Sequence, residues 1–348
     1  MHPIFHIKPG RNVVMHLIHF PICFLMFVIS ASAQPADPVV LVVHGGAGTI
    51  SRDRVTPDRE TAIRTALEEA LRAGYAAMEE GPALDGVVAA IEVLEDSPHF
   101  NAGIGGVFAA DGTVRHDASI MDGASGLAGA STGTKHIRHP IQLARAVMEH
   151  SAHVMLGEEG AEEFAIQQGL EIVPNSFFHT ERRRQALRAA QERERELQGD
   201  AGYVPEEWQM IGTVGAVALD NGGHLAAGTS TGGMTNKRWG RIGDSPIIGA
   251  GTFANDATCG ISSTGHGEFF IRLAIAHDIH ARAMYGGESC TEAAEAVIHE
   301  TLTEAGGTGG VIMLDRDGNV AMPFNTEGMY RGYITRSGQV TVKLYADE

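Results

Sequence analysis

The stretch MIGTVGAVALDNGGHLAAGTSTGG, residues 210–233, decides the fold class more than any other part of this sequence. It contains two short apolar runs, TVGAVALD and HLAAGTS, separated by a turn sequence at 220–223 (DNGG). Two strand-like runs around such a turn predict a β-hairpin, whose strands are antiparallel. The fold should therefore contain antiparallel sheet rather than regular parallel βαβ units.

Helices and strands are predicted in blocks on both sides of this hairpin. Residues 38–43 (PVVLVV) indicate a buried strand that runs into a glycine turn at 44–48, and short runs rich in glycine at 101–134 indicate consecutive antiparallel strands. Helical periodicity occupies 58–80, 83–95, 141–169, 267–285 and 291–305, and four short strand candidates end at Tyr345. This order predicts an α+β sandwich, with antiparallel sheets covered by helices. The charged stretch 180–198 (TERRRQALRAAQERERELQ) is expected to be a solvated helix or tether.

Composition excludes several classes of function. The 348 residues carry 26 Lys and Arg against 43 Asp and Glu, and the resulting net charge of -17 would repel a phosphate backbone or an anionic membrane. Nucleic acid is therefore not an expected partner. Three cysteines, Cys23, Cys259 and Cys290, without a CxxC pair cannot build a disulfide framework or a cysteine zinc site.

The first 33 residues have the features of a secretory signal peptide. Lys8 and Arg11 precede an apolar stretch that ends at Ala31-Ser32-Ala33, which is a small-x-small cleavage site. The uninterrupted apolar run is about 10 residues, short of the roughly 20 that span a bilayer, so a retained anchor is the weaker alternative. We predict cleavage after Ala33, a periplasmic or secreted protein, and no membrane contact after removal. That location permits a bond between Cys259 and Cys290, although two buried thiols are the simpler expectation.

Two hydroxyl groups are candidate nucleophiles. Ser230 lies in GTSTG at 228–232, which matches the nucleophile elbow of α/β-hydrolases, but the residues after it contain helix breakers where an elbow needs a helix. Thr213 begins a predicted strand after Gly212, and no base lies next to it in the sequence. The hydroxyl-rich runs at 229–231 and 260–268 could line one cleft with it. Its own α-amine could then be the base.

The chain resembles the isoaspartyl peptidase and plant-type asparaginase family of N-terminal-nucleophile hydrolases over essentially all of its length after residue 33. The matching motifs are HGGAG at 44–48, FNAGIG at 100–105, MDG at 121–123, GTVGAVALD at 212–220, TSTGGMTNK at 229–237, GRIGDSP at 240–246, TGHGE at 264–268 and PFNTEGMYRG at 323–332. The resemblance implies an αββα sandwich. It also implies self-cleavage between Gly212 and Thr213, which gives an α chain of residues 34–212, ending in the charged tether at about 180–212, and a β chain of 213–348. Together the two chains form one domain.

The resemblance also assigns the catalytic roles. Thr213 is the nucleophile, and its freed α-amine, which titrates near ~7.7–8.0, takes the hydroxyl proton. The Thr264 hydroxyl and the Gly265 amide form an oxyanion hole. Thr231 lies beside the nucleophile and tunes it, and Asn101 orients Thr213 or a water.

Three further positions are assigned to substrate binding by the same resemblance. Arg241 pairs with the α-carboxylate of the substrate, while Asp244 and the Gly267 carbonyl bind its α-ammonium. From the sequence alone, Arg241 and Asp244 could equally pair with each other. His44 is expected to hold the glycine turn behind the site, and His266 is assigned no catalytic role.

The family resemblance implies no catalytic cofactor but a structural sodium ion. Main-chain carbonyls that match the sodium loop belong to Leu94, Glu95, Ser97, Phe100, Ala102 and Ile104. A dimer of processed αβ units is the implied assembly, and small molecules are the implied substrates.

The implied activity is removal of N-terminal isoaspartyl residues from short peptides, together with hydrolysis of L-asparagine. One rival is the aspartylglucosaminidase branch of the same fold, although TGGMTNK at 231–237 resembles the isoaspartyl peptidases more closely. A serine hydrolase that uses Ser230 and an inactive amino-acid-binding module are the alternatives from other classes. The sequence leaves open the ratio of the two activities and the preferred second residue of the dipeptide.

Overall fold

An eight-stranded sheet forms the centre of the fold, in the order β12-β11-β1-β5-β6-β2-β3-β4. The computed structural model describes residues 37–196 and 212–348. The strands of this sheet are β1 (Val39–Gly48), β2 (His116–Asp122), β3 (Ala128–Thr134), β4 (Met155–Gly157), β5 (Val214–Leu219), β6 (Leu225–Thr231), β11 (Gly328–Thr335) and β12 (Val340–Tyr345). All neighbours are antiparallel except β3 and β4. The predicted hairpin is confirmed, since β5 pairs with β6 in a register that joins Val214 to Ser230 and Leu219 to Leu225.

A second, antiparallel sheet packs against the first. Its order is β10-β9-β8-β7, and its strands are β7 (Thr252–Ala254), β8 (Cys259–Gly265), β9 (Gly309–Asp315) and β10 (Val320–Ala321). Strands β8 and β9 face β1, β5 and β6 of the large sheet. Val42, Val217 and Leu314 lie in the apolar layer between the two sheets.

Helices cover the outer faces of both sheets. The helices are α1 (Pro57–Ala77), α2 (Ala83–Glu95), α3 (Pro140–His150), α4 (Glu158–Gln167), α5 (Glu181–Glu196), α6 (Gly267–Leu273), α7 (Ile275–Ala281) and α8 (Cys290–Ala296). Helices α1, α2 and α3 pack on the large sheet, while α7 and α8 pack on the small one. Their apolar faces bury Leu67 and Ile91 on one side and Ile279 and Ala293 on the other. The predicted αββα sandwich is therefore confirmed.

Four local predictions differ from the structure. The predicted helical region 141–169 is two helices, α3 and α4, with the short strand β4 between them. The glycine segment 44–48 is not a turn but continues β1, because it pairs with β11 through a register shift between His44 and Gly46. Residues 101–115 form a loop with one isolated bridge between Phe108 and Val114, so the antiparallel strands begin only at β2. Helix α5 is not merely solvated, since it buries Leu187 against the aromatic cluster around Phe178.

The described residues also bear on the membrane and thiol predictions. None of their helices combines the length and apolarity needed to cross a bilayer. Cys259 and Cys290 are free thiols, both buried in the core of the small sheet. The predicted signal peptide, residues 1–33, lies outside the described residues and stays a prediction.

Candidate active site

Thr213 lies directly before β5, at the head of a central strand, and is 3% exposed. Its hydroxyl donates to Thr231 Oγ1 at 3.1 Å. Thr231 ends the neighbouring strand β6, and its oxygen also accepts from the Gly233 amide at 3.0 Å. The β5–β6 register thus places the two threonine hydroxyls side by side, and it gives the Thr213 hydroxyl a fixed direction.

His44 holds the main chain of Thr213 from the other neighbouring strand, β1. Its Nδ1 donates to the Thr213 carbonyl at 3.1 Å, and Ser262 Oγ lies 2.9 Å from its Nε2. Burial lowers the pKa of His44 to about 3, so the ring is neutral and accepts the Ser262 hydroxyl proton. The Ser262 hydroxyl forms a hydrogen bond of 2.7 Å with the Thr229 hydroxyl, which forms another of 2.6 Å with the Thr252 hydroxyl. A buried chain of hydroxyl groups therefore connects the main chain of Thr213, at the head of β5, to the second sheet.

Asn101 holds the carbonyl of Gly212, the other half of the peptide bond at Thr213. The Asn101 backbone N–H donates to Gly212 O at 2.8 Å. Its side chain is used elsewhere, with Nδ2 donating to Gly233 O at 2.7 Å and Oδ1 accepting from the Val107 amide at 2.9 Å. In the intact chain Asn101 thus contacts Gly212 through its main chain, and its side chain shapes the surrounding loops.

Thr264 and Gly265 approach from the second sheet. Thr264 Oγ1 accepts from the Ala47 amide at 3.3 Å, three residues beyond His44 on β1. Ser262 and Thr264, which share one face of β8, therefore both contact the stretch of β1 that borders Thr213. Gly265 has no room for a side chain, because a Cβ would lie 2.6 Å from the Thr308 carbonyl and would collide with the ring of Phe270.

Arg241, Asp244 and Gly267 meet in one place, although they come from a loop and the start of α6. A Cβ at Gly267 would lie 2.8 Å from Asp244 Oδ1 and 3.0 Å from Arg241 Nη2. The possibility that Arg241 and Asp244 pair with each other is wrong. Arg241 instead donates through Nε and Nη2 to the two carboxylate oxygens of Glu268, at 3.0 Å each, and this pair leaves Nη1 unused.

Asp244 is a buried carboxylate that lacks a partner for one oxygen. Its Oδ2 has no hydrogen bond within the described part of the chain. Burial raises the pKa of Asp244 to about 7, and the nearby charge of Arg241 offsets only part of that rise. A cationic ligand would satisfy this oxygen and restore the charged form, as the α-ammonium of an amino acid does.

The Ser230 side chain points away from Thr213. Alternate residues of a strand face opposite sides, so Thr229 and Thr231 face the site while Ser230 faces the helices. Its hydroxyl donates to Glu95 Oε1 at 2.6 Å, inside the packing of α2. No helix follows β6 as a nucleophile elbow requires, since the next residues are non-helical.

Lys237 and Asp117 are a buried charge pair that sequence reasoning missed. Lys237 Nζ donates to the Arg115 carbonyl at 2.9 Å and lies 4.0 Å from Asp117 Oδ2. A Cβ at Gly233 would lie 3.0 Å from Lys237 Nζ and 3.4 Å from Arg241 Nη1, so the Lys237 ammonium lies near the Arg241 guanidinium. The sequence did contain an indication of this pair, because Lys237 ends a motif of small residues at 229–237. Lysine is seldom fully buried without a partner, so a buried acidic partner could have been expected.

The loop after α2 presents main-chain oxygens, as a hard cation requires. Gly103 has φ +47 and packs against the Glu95 carbonyl. A Cβ at Gly105 would lie 2.8 Å from Pro98 O and 2.9 Å from Phe100 O. The Glu95, Pro98 and Phe100 carbonyls therefore border this tight loop, and the Glu95 oxygen accepts a hydrogen bond from the Ile104 amide at 2.7 Å. Carbonyl oxygens are the type of ligand that a hard cation such as sodium takes.

The αββα layers, with a buried threonine that follows a glycine at the head of a central strand, define the N-terminal-nucleophile hydrolase class. Comparison with protein families specifies the group within that class. The model of the asparaginase family matches residues 37–344. The chain belongs to this family, whose members are hydrolases.

Three relatives illustrate the extent of the similarity. The isoaspartyl peptidase of Escherichia coli K12 is 48% identical over 310 residues, which cover 89% of this chain and 97% of that protein. The plant-type L-asparaginase of Pyrobaculum calidifontis is 41% identical, with 87% and 99% covered. The probable isoaspartyl peptidase/L-asparaginase 2 of Arabidopsis thaliana is 40% identical, with 88% and 98% covered.

Proposed function

We propose that the chain cuts itself between Gly212 and Thr213 and then hydrolyses β-aspartyl amide bonds, both in isoaspartyl peptides and in L-asparagine. The observation that carries this proposal is the geometry at the scissile peptide. The Thr213 hydroxyl is held by Thr231, while the Gly212 carbonyl is held by the Asn101 amide at 2.8 Å. The two products are an α chain of residues 34–212 and a β chain of 213–348.

The ester-forming step of self-cleavage uses groups that already lie at this peptide bond. Thr213 Oγ1 adds to the Gly212 carbonyl carbon, and the negative charge that develops on Gly212 O lies beside the Asn101 N–H. The C–N bond then breaks as the nitrogen takes the proton that Oγ1 gives up, which leaves an ester at Oγ1 and a free α-amine on Thr213. Water hydrolyses the ester and releases the carboxyl group of Gly212.

The mature site uses the new α-amine as its base. The amine takes the hydroxyl proton of Thr213 as Oγ1 attacks the β-carbonyl of the substrate, and it returns a proton to the leaving amine. Water, deprotonated by the same amine, then attacks the β-aspartyl ester on Oγ1, which releases aspartate and restores the Thr213 hydroxyl. The Thr264 hydroxyl and the Gly265 N–H hold the oxyanion. Thr231 keeps Thr213 Oγ1 directed at the carbonyl carbon.

Substrate choice follows from Arg241 and Asp244. A substrate with a free α-carboxylate and a free α-ammonium pairs with the Arg241 Nη1 donors, which Glu268 does not use, and with the unpartnered Asp244 oxygen. An isoaspartyl residue and asparagine present the same acyl group with these two charges. The Escherichia coli relative is named an isoaspartyl peptidase, and the Arabidopsis thaliana relative is named a probable isoaspartyl peptidase/L-asparaginase.

The test is release of aspartate by the purified protein from three substrates: β-aspartyl-leucine, L-asparagine and a sugar-linked asparagine. We expect turnover of the first two and little of the third. Preference for the sugar-linked substrate would identify an aspartylglucosaminidase instead. Binding of aspartate with no turnover of any substrate, in a chain that stays whole, would identify a binding module.

The pH dependence of this activity should show the ionisation of Asp244. Below its pKa of about 7 the carboxyl group is neutral and binds an ammonium poorly, so kcat/KM should rise with pH through that region. In Asp244→Asn, kcat/KM should fall. The rise of kcat/KM with pH that is due to Asp244 should disappear, so that only the ionisation of the Thr213 amine shapes the profile. If kcat/KM of the variant still rose with pH as in the wild type, the titrating group would be a residue other than Asp244.

Three further features belong to this proposal. A sodium ion in the loop at 94–104 would stiffen the backbone that positions Asn101, without contact to the reacting atoms. Two processed αβ units form the dimer. The signal peptide directs export to the periplasm or the medium, with cleavage after Ala33.

A further inference from the structure

A cavity lined by several arginines lies on the Gly212 side of Thr213. Its charge is positive, whereas the chain as a whole has a net charge of -17. Its volume is about 350 Å³. Arg54, Arg59, Arg182 and Arg183 line it together with Gly212. We call it the arginine pocket.

None of these four arginines forms an ion pair with a carboxylate among residues 37–196 and 212–348. Arg183 is 7% exposed, and its Nε donates to the Gly105 carbonyl at 2.6 Å. Arg182 Nη2 donates to the Pro98 carbonyl at 3.2 Å. Arg59 Nε is buried without a hydrogen-bond partner in the same described part of the chain.

Without a bound anion, the mutual repulsion and the desolvation of these guanidinium groups destabilise the folded protein. Desolvation of the guanidinium together with the charge of Arg59 lowers the pKa of Arg182 to about 10, although the residue as a whole is exposed. Burial together with the charges of Arg182 and Arg59 lowers the pKa of the buried Arg183 well below its usual range. The neighbouring carboxylate of Glu60 is already used by Arg64. Three guanidinium groups close to each other and short of acceptors indicate a site for a carboxylate.

The pocket lies where the leaving group of a substrate must go. A Cβ on Gly212 would be 3.9 Å from Arg183 Nη2. When the Gly212–Thr213 bond is cut, an N–H of the Thr213 amine can point along the former bond, toward the space that Gly212 occupied. Because this amine protonates the leaving nitrogen, the leaving residue lies on the Gly212 side of Thr213.

We propose that the arginine pocket binds the α-carboxylate of the residue released from an isoaspartyl dipeptide. This inference rests on the proposed function. In that dipeptide only about 2.5 Å separates the leaving nitrogen from its own carboxyl carbon, so the carboxylate reaches the guanidinium groups. Ile50, Val55 and Tyr330 line the same cavity and accept an apolar side chain such as that of leucine.

The proposed contact accompanies the ordinary chemical step. The bond between Thr213 Oγ1 and the β-carbonyl carbon forms, the bond from that carbon to the leaving nitrogen breaks, and the proton of the Thr213 ammonium moves to that nitrogen. The pocket holds the carboxylate of the leaving residue during this transfer. Asparagine releases ammonia, which carries no carboxylate, so its hydrolysis does not use the pocket.

The first experiment compares β-aspartyl-leucine with β-aspartyl-leucinamide on the wild-type, fully processed protein. The amide removes the carboxylate from the ligand and leaves the protein unchanged. We expect kcat/KM to be about 10- to 100-fold higher for the acid, as for other charge-assisted hydrogen bonds. Equal values, with L-asparagine still hydrolysed, would overturn the arginine pocket while the proposed function stands.

Variants then assign the effect to the pocket. Arg183→Met and, as the less buried second variant, Arg182→Gln should reduce the preference for the acid toward unity and affect asparagine hydrolysis much less. Arg188→Gln, on the exposed side of the same helix, is the matched control and should keep the wild-type preference. A wild-type preference in both pocket variants would overturn the assignment. Loss of activity on every substrate by the wild-type protein would overturn the proposed function and this inference with it.

Discussion

Thr213→Ala should leave the protein as one uncut chain, without hydrolysis of isoaspartyl dipeptides or asparagine. The substitution removes both the attacking oxygen of self-cleavage and the nucleophile of the mature site, so we expect a fall in kcat of at least about 10⁴-fold. Intact mass spectrometry with N-terminal sequencing checks the first effect. The wild type should give a fragment that begins Thr-Val-Gly-Ala, which is residues 213–216.

Ser230→Ala is the matched control for this experiment. Ser230 lies on the other face of β6, where its hydroxyl is bonded to Glu95, so the variant should cut itself and keep its activity. It should instead lose stability, by about 1–3 kcal/mol, because a buried carboxylate loses a hydrogen bond. A chain that is cut in Thr213→Ala, or inactive only in Ser230→Ala, would contradict the threonine mechanism.

Arg241→Leu should separate self-cleavage from substrate hydrolysis. The intramolecular step involves no substrate carboxylate, so the variant should still yield the two chains. Removal of the guanidinium leaves the α-carboxylate of the substrate without its partner, and kcat/KM for asparagine should fall by about 100-fold or more. Steady-state kinetics on the processed variant measures this effect.

The neighbouring Arg238 provides the control for Arg241. Arg238 is exposed and pairs with Glu194 on α5 at 2.6 Å, so Arg238→Leu should retain most of the activity. Equal losses in both variants would indicate a general effect of the loop. Activity retained in Arg241→Leu would remove this residue from substrate binding.

Local patterns predicted most of the secondary structure because neighbouring residues determine it. The turn at 220–223 and the apolar runs around it form the β5–β6 hairpin, and helix α2 spans Ala83–Glu95 as its periodicity predicts. The segment at 44–48 was misassigned because its glycines favour turns in isolation. Pairing with β11 keeps this segment extended. Because β11 is far away in the sequence, the residues around 44–48 do not indicate that pairing.

The candidate site was less accessible to sequence reasoning. Motifs pointed to Arg241 and Asp244, yet the sequence left open whether they pair with each other. The start of α6 brings Glu268 to Arg241 and leaves one oxygen of the buried Asp244 unpartnered. The arginine pocket could not be predicted from the sequence. Arg59 and Arg183 lie on different helices, and arginines on charged helices are usually surface residues.

The sequence by itself determined the fold class, the Gly212–Thr213 pair and the family, because these depend on local periodicity and on short motifs. The tertiary structure alone decided which face each hydroxyl of β6 presents, what the Arg241 guanidinium contacts, and which cations gather beside Gly212. These features depend on strand register and on helix packing between residues far apart in the chain. Only the folded chain brings such residues within hydrogen-bond distance, and at that distance burial and charge shift the pKa of each group.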